Sequence, residues 1–362
     1  MTRRLWRSFD LMLMGVAVLL TVYGIAMISS ATRGTQDLAD LWQRQAAYAA
    51  AGLALMLLVA AFDYRFYENL HRPLYVLIII LLIAVFAIGE ITHGVQRWIG
   101  ASAIQPSELA KVVIIIGLAK LLADHDDEMD HLRYLLLSLG YVLLPMALIY
   151  LQPNLGTSLT LGFIWLVMTI MAGARFIHLG LLSVAGVLAS PVVWLTLQDY
   201  MRQRILLFVN PQSSPDDYYN VQQALISIGS GGWLGKGFGN GTQSQLHFLR
   251  VRHTDFIFSV IGEELGLLGA VVLFALFIVL LWRILRVAAM AQDPFGRLIC
   301  SGVATVIFLQ AAANIGVNLG LLPVTGLPLP FISYGGSSLW TFLISLGLVE
   351  SVAMRHKKLD FE

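Results

Sequence analysis

The sequence predicts an all-α, polytopic integral membrane protein: about ten transmembrane helices, with a large extracytoplasmic loop before helix eight. Three observations predict it. Of 362 residues, 58% are hydrophobic and 12% charged, and mean hydropathy is +0.77; soluble domains carry about a quarter charged residues. The apolar residues gather into stretches long enough to cross about 30 Å of hydrocarbon as helix. In lipid every backbone polar group needs an internal partner, which makes these stretches helices rather than open sheet.

The candidate spans are 10–31, 44–62, 74–91, 107–123, 133–151, 155–173, 177–196, 256–284, 296–321 and 337–354. Two of them, 107–123 and 155–173, are short or start with polar residues. The first span follows Arg3, Arg4 and Arg7 and has the outline of a signal peptide. Its apolar run is long enough to span, so it reads as an uncleaved first helix. With the N-terminus inside, the inner flanks also hold Arg65, Arg72, Lys120, Arg133, Arg175, Arg283, Arg286, Arg297, Arg355, Lys357 and Lys358. The short outer loops hold only Arg33, Arg44 and Arg97. That asymmetry places both termini in the cytoplasm. The acidic run Asp124 to Asp130 reads as a solvated loop on the same side.

Net charge is +1, so no global field or basic stripe recruits nucleic acid. Cys300 is the single cysteine; no intramolecular disulfide exists, and it reads as a small packed residue. The chain reads as one transmembrane domain over 1–362, with 197–255 as a loop within it. That loop mixes Tyr218, Tyr219, Trp233 and Phe248 with aliphatics and glycines. Short interfacial helices and tight turns on the outer leaflet are expected there, rather than disorder.

Five constellations could carry chemistry. Asp255 ends the run Arg250-Val-Arg252-His253-Thr254 and opens an apolar helix. A carboxylate at that boundary is costly and is a functional candidate. Helix capping explains Asp255 or Thr254 alone, but not the cations beside them; a general base acting on a hydroxyl explains the group. Glu263 and Glu264 follow on the same helix, with interhelical ion pairing as the plain alternative. Second, Gln96-Arg97-Trp98 precedes Gln105-Pro106-Ser107-Glu108-Leu-Ala-Lys111. Glu108 and Lys111 share one helical face: either a self-neutralising pair or the wall of a polar cavity. Trp98 also suits an interfacial anchor.

Third, the glycine-rich stretch 229–241, with Lys236 and then Thr242-Gln243, can form a backbone anion nest or simply tight turns. It lacks the Ser/Thr of a nucleotide-binding P-loop. Fourth, Gln310, Asn314 and Asn318 recur every four residues and put three amides on one face, most simply for interhelical bonding. Fifth, the Pro/Gly-rich segment from Pro323 through Ser333 to Ser338 cannot be regular helix and must line a cavity or be covered by protein. The histidines and the cysteine have no zinc spacing. A Mg²⁺ or Mn²⁺ ion shared by Asp255 and a pyrophosphate is compatible with these residues.

Together these segments resemble the SEDS family (shape, elongation, division and sporulation). The resemblance runs through Arg97-Trp98-Ile99, Gln105 to Lys111, His253 to Glu264, and Asn314 through Phe331-Ile-Ser-Tyr-Gly-Gly-Ser-Ser338. Thr242-Gln243 and Phe248 to Asp255 are more similar to the elongation (RodA) branch than to the division (FtsW) branch. The resemblance implies a peptidoglycan glycosyltransferase in the bacterial cytoplasmic membrane, polymerising lipid II onto a lipid-linked glycan at the outer face. It implies a class B penicillin-binding protein as transpeptidase partner. It maps the family's essential loop acid onto Asp255 and its polar cavity onto Glu108 and Lys111.

On that reading Asp255 is the base, and Lys111, Arg97, Lys236, Arg252 or a divalent ion neutralises the pyrophosphate. Trp98, Gln243, His253 and Ser333 complete the expected substrate contacts. Gly262, Gly266 and Gly269 permit close helix approach, on which helices eight and nine are expected to receive the partner's transmembrane helix. Two positions depart from the family pattern: Asn154 replaces a usual Asp, and Arg250 a common proline. A flippase accounts for broken helices and a polar cavity, although no inverted repeat is evident. A non-catalytic scaffold is the third class.

Overall fold

The computed structural model describes residues 8–33, 35, 38–92, 95–98, 104–211, 215–246 and 248–355. Arg3, Arg4, Arg7, Ile99, Lys357 and Lys358 lie outside the described residues. Ten helices occupy the places of the ten expected spans. They are α1 (Leu11–Ala31), α2 (Leu41–Ala61), α3 (Tyr64–Ile88), α4 (Pro106–Ala123), α5 (Leu132–Leu151), α6 (Leu155–Met171), α7 (Phe176–Thr196), then α10 (Ile257–Met290), α11 (Pro294–Asn318) and α12 (Gly336–Met354). Between α7 and α10 lie α8 (Asp199–Val209) and α9 (Pro215–Gly231).

Eight of the ten are long and apolar enough to cross a membrane. The exceptions are the two irregular segments. α6 has 17 residues, and α4 carries Glu108, Lys111 and Lys120. α3 starts ten residues before the expected 74, because its polar first turns are helical without being apolar. Asp63 caps it by accepting from the Arg65 N–H, as Asp10 caps α1 and Asp293 caps α11. Each supplies an acceptor to an otherwise orphaned first-turn amide.

α11 and α12 form the centre of the bundle, with most of each helix buried. α2 packs along α12, α10 along α11, and α4 along both α3 and α11. α7 is the opposite case: little of it is buried, so nearly its whole apolar circumference faces outward. A two-stranded antiparallel hairpin, β1 (Glu90–Thr92) and β2 (Val95–Trp98), follows α3. It was not apparent from the sequence, and it carries Arg97 and Trp98.

α10 is not continuous. Gly266 takes φ 64°, ψ −159° in its middle, a conformation open to glycine at little cost. The glycine-rich stretch closes the break with its own backbone. Lys236 N donates to Glu263 O at 3.0 Å and Gly237 N to Glu264 O at 2.9 Å. Leu267 N and Leu268 N in turn donate to Gly232 O and Trp233 O at 2.9 and 3.1 Å. Two carbonyls and two amides at the kink thus find partners, as apolar surroundings demand.

The Pro/Gly-rich segment is irregular only from Pro323 to Gly335, its last three residues, Gly336 to Ser338, forming the first turn of α12, and it packs on α1. A Cβ on Gly24 would lie 2.6 Å from the Phe331 carbonyl oxygen and 2.7 Å from Ile332 Cα. A Cβ on Gly15, on the same helix, would meet nothing within 4 Å. Gly24→Ala is therefore expected to destabilise the purified protein by about 1–3 kcal/mol through overpacking, while Gly15→Ala leaves it unchanged or slightly more stable. Thermal unfolding in detergent compares them; equal melting of the two variants would refute this packing.

Candidate active site

Asp255 sits in the turn that enters α10, and that turn is held through its backbone. Tyr334 N donates to His253 O at 2.9 Å, and Ser333 Oγ donates to Thr254 O at 2.7 Å. The Asp255 carbonyl receives two amides, Asn314 Nδ2 at 3.0 Å and Asn318 Nδ2 at 2.8 Å. Asn318 Oδ1 then accepts from Ser259 N and Oγ on the first turn of α10, at 3.1 and 2.6 Å. Asn314, Asn318, Ser333 and Tyr334 thus fix the carbonyls of residues 253, 254 and 255. Gln310, the third amide, is fully buried with neither side-chain polar atom paired among the described residues.

The Asp255 side chain is half-buried. Among the described residues its carboxylate makes no hydrogen bond or ion pair. Burial pushes it above the usual carboxylate range, and Arg204 and Arg97 act against that shift. Both arginines are tethered. Arg97, on β2, donates from Nε to Gln152 O at 3.1 Å and also to Pro153 O. Arg204, on α8, donates from Nη1 to Val324 O at 2.9 Å, and its guanidinium lies 4.3 Å from the Tyr200 ring centre. A cavity of about 150 Å³ opens between them, lined by Arg97, Asn154, Tyr200, Arg204, Val324 and Thr325 among others. Asp255 is not itself among the lining residues, but its carboxylate feels the charge of both anchored guanidinium groups, an arrangement that suits an anion in the cavity with a proton acceptor in electrostatic reach.

Arg204 and Tyr200 were missed in the sequence. The available signal was Tyr200-Met-Arg-Gln-Arg204 directly after a span, which reads equally well as an interfacial helix. Asn154 lines the cavity and caps α6, accepting from Thr157 N at 3.3 Å. An amide caps as well as the carboxylate it replaces, so the departure at this position preserves the helix start.

Several expected substrate contacts have other partners. Lys236 Nζ pairs with buried Glu263 at 3.0 Å. Glu263 also accepts from Thr242 Oγ1, Gln243 N and Ser244 N, at 3.1, 2.9 and 3.3 Å. Glu264 accepts from Ser30 Oγ at 2.5 Å and Gly239 N at 3.1 Å. The backbone nest thus encloses the protein's own carboxylates, because buried charges need such compensation. Arg252 is buried and donates to Ala31 O at the end of α1 and to Thr35 Oγ1 at 2.9 Å. His253 lies against Tyr334, ring centres 5.9 Å apart; burial and Arg252 lower it to about 4, so it is neutral near pH 7. Ser333 Oγ donates to Thr254 O and accepts from Leu329 N at 2.9 Å, a backbone clamp.

Glu108 and Lys111 are buried and pair at 2.8 Å, with Lys111 Nζ 5.5 Å from the Phe342 ring centre. They join neither Asp255 nor the lining of the arginine cavity. Trp98 is half-buried beside Arg97. For a divalent ion the fit is poor. No group of three or more His, Cys, Asp or Glu side chains comes together among the described residues, and the charges next to Asp255 are cationic.

The FtsW/RodA/SpoVE family model, described as a cell cycle protein, matches residues 8–358. The chain belongs to that family. It is 39% identical to the Escherichia coli (strain K12) peptidoglycan glycosyltransferase MrdB, over 95% of this chain and 93% of that protein. It is also 39% identical to a probable peptidoglycan glycosyltransferase FtsW of Geobacter metallireducens, over 96% of each. Among solved structures, one from work on a peptidoglycan synthase complex that coordinates polymerization and crosslinking superposes with TM-score 0.82. Its identity is 32%, over 96% of this chain and 98% of that one. Thermus thermophilus RodA superposes with TM-score 0.73 at 31% identity, over 98% and 99%.

If Asp255 is the group that accepts the proton, activity responds to pH through it. Only the deprotonated carboxylate accepts a proton, so activity falls as pH drops through its pKa. Arg204→Gln removes a charge that lowers that pKa. The acid limb of the pH profile of kcat/KM should therefore move to higher pH. An unmoved acid limb would dissociate Arg204 from Asp255.

Proposed function

We propose that the chain is a peptidoglycan glycosyltransferase that polymerises lipid II, with Asp255 as general base. The observation that supports this most is the half-buried Asp255 carboxylate, without a partner among the described residues and within electrostatic reach of Arg97 and Arg204, which line one cavity. The acceptor is the sugar 4-hydroxyl of one lipid II. The donor is the anomeric carbon of a lipid-linked glycan. Asp255 takes the hydroxyl proton as the new carbon–oxygen bond forms, and the bond to undecaprenyl pyrophosphate breaks with its electron pair leaving on the pyrophosphate. An α-linked donor gives a β linkage by one inversion, so one base suffices and no covalent enzyme intermediate forms.

Arg97 and Arg204 receive the developing negative charge. Their tethers to backbone carbonyls hold them in place before the substrate arrives, so little reorganisation is required at the transition state. Glu108 and Lys111 keep α4 neutral at membrane depth. The near-complete exposure of α7 leaves a side of the bundle through which an isoprenoid chain can remain in lipid while its head group reaches the cavity.

The arginine and lysine asymmetry of the sequence supports an orientation with both termini cytoplasmic and the Asp255 end at the outer face of the bacterial inner membrane. Asp255 would then meet lipid II on the side where the polymer grows. Partnership with a class B penicillin-binding protein accords with the synthase-complex relative. Thr242-Gln243 and Phe248 to Asp255 support the elongation role.

The test is polymerisation of labelled lipid II by purified protein in detergent, with and without the transpeptidase. Asp255→Asn should retain folding and co-purification with the partner, and lose polymerisation by roughly 10²–10⁴-fold. Glycan synthesis at the wild-type rate by this variant would overturn the assignment. A lipid flippase would form no polymer under any of these conditions.

A further inference from the structure

At the end of the bundle away from Asp255, a cavity of about 480 Å³ opens between α3, α4 and α5. None of its groups enters the reaction proposed above. His71, Arg72 and Val76 come from α3, Lys120, Asp124 and His125 from the end of α4. Gly117 makes the space on α4, since a Cβ there would fall on the Tyr141 hydroxyl of α5. Tyr75 stacks on Tyr141 at 4.2 Å and donates to its carbonyl at 2.8 Å. The Tyr141 hydroxyl is itself buried and has no partner among the described residues.

The charges are unevenly shared. Lys120 bridges two carboxylates, Glu68 at 2.7 Å and Asp124 at 2.5 Å. Arg72 is exposed and has no hydrogen-bond or ion-pair partner among the described residues. The cavity thus offers an uncompensated guanidinium on α3 and, at the end of α4, the Asp124 carboxylate paired with Lys120; Glu68, outside the lining, holds Lys120 from α3 and brings the four charges to balance. The histidines add acceptors. His71 Nδ1 lies 2.6 Å from Glu68 O and His125 Nδ1 2.9 Å from Leu121 O. A carbonyl only accepts, so Nδ1 carries the hydrogen and Nε2 keeps its lone pair in the neutral ring.

The depth fits a lipid head group. α3 has 25 residues, about 37 Å, and overshoots a hydrocarbon layer of about 30 Å. Arg72 is roughly 12 Å from its start and can place its guanidinium at the boundary. Val76 is 56% exposed, and the exposed Leu77 and Ile80 continue along α3 toward the bilayer centre, which provides a track for an acyl chain.

We propose that this cavity binds a zwitterionic aminophospholipid of the phosphatidylethanolamine class. The phosphate sits on Arg72, whose planar fork matches two phosphate oxygens. The ammonium sits between Asp124 and the histidine Nε2 atoms. A purely anionic head group would leave those acceptors facing negative charge, and a quaternary choline has no N–H to offer them.

Native mass spectrometry of the full chain, equilibrated in nanodiscs of equimolar phosphatidylethanolamine and phosphatidylglycerol, tests the assignment. Wild type should retain one phosphatidylethanolamine through detergent release. Arg72→Gln should lower that occupancy about tenfold, the loss expected for one charge-assisted hydrogen bond, and Arg72→Lys should restore part of it. Val76→Trp, at a lipid-exposed position with little risk to folding, should block the cavity and give the same loss. Equal retention of both lipids, preference for phosphatidylglycerol, or retention unaffected by Val76→Trp would each overturn the proposal.

Discussion

The peptide carbonyl of Asp255, held by the side-chain amides of Asn314 and Asn318, governs the geometry of everything around it. A lone carboxylate at the mouth of a helix can point in many directions unless its backbone is immobile. Here the two amides come from a buried helix, α11, whose rotation is set by packing on α4, α6, α10 and α12. Ser333 and Tyr334 hold the two preceding carbonyls. The reactive group is therefore mounted on the rigid centre of the bundle although it lies in a loop, the arrangement that precise sites require.

That mounting explains why so much irregular backbone exists where lipid proteins normally permit only helix. The irregular backbone of Pro323–Gly335 satisfies only some of its own polar groups, and others pair with Asn314, Gln45 and the 253–255 turn. The break at Gly266 follows the same logic. The carbonyls it frees are met by the amides of Lys236 and Gly237, and Glu263 and Glu264 are wrapped by the residues that follow. The glycine-rich stretch is thus a splice that ties the large loop to α10. Because α8 carries Arg204 and belongs to the same loop, the splice helps determine where that guanidinium stands relative to Asp255.

Much of the fold was legible because lipid imposes a one-dimensional code. An apolar stretch of sufficient length must be helix, and the two segments that break the code, 107–123 and 155–173, are the two helices that fall short in charge or length. Asp255 was legible for the same reason, as a charge where hydrophobicity begins. Its partners were not. Arg97 could be seen, but Arg204 sits on a helix whose composition suits the membrane surface equally well, and nothing local shows that it folds back. Lys236, Arg252 and Ser333 have the chemistry of ligand contacts, and folding gives each side chain a partner inside the protein; of Gln243 only the backbone N–H is paired, its side-chain oxygen having no partner among the described residues.

Hydropathy alone thus determined the class of fold, the approximate helix positions and the residue most costly to place without a purpose. Those properties follow from transfer free energy, which each segment pays separately. Which cations face the carboxylate, which are consumed by internal carboxylates, and which remain unpaired at the far end of α3 was decided only by the tertiary structure. Electrostatic pairing depends on separations of a few ångströms between residues tens to hundreds of positions apart, and no local pattern encodes such distances.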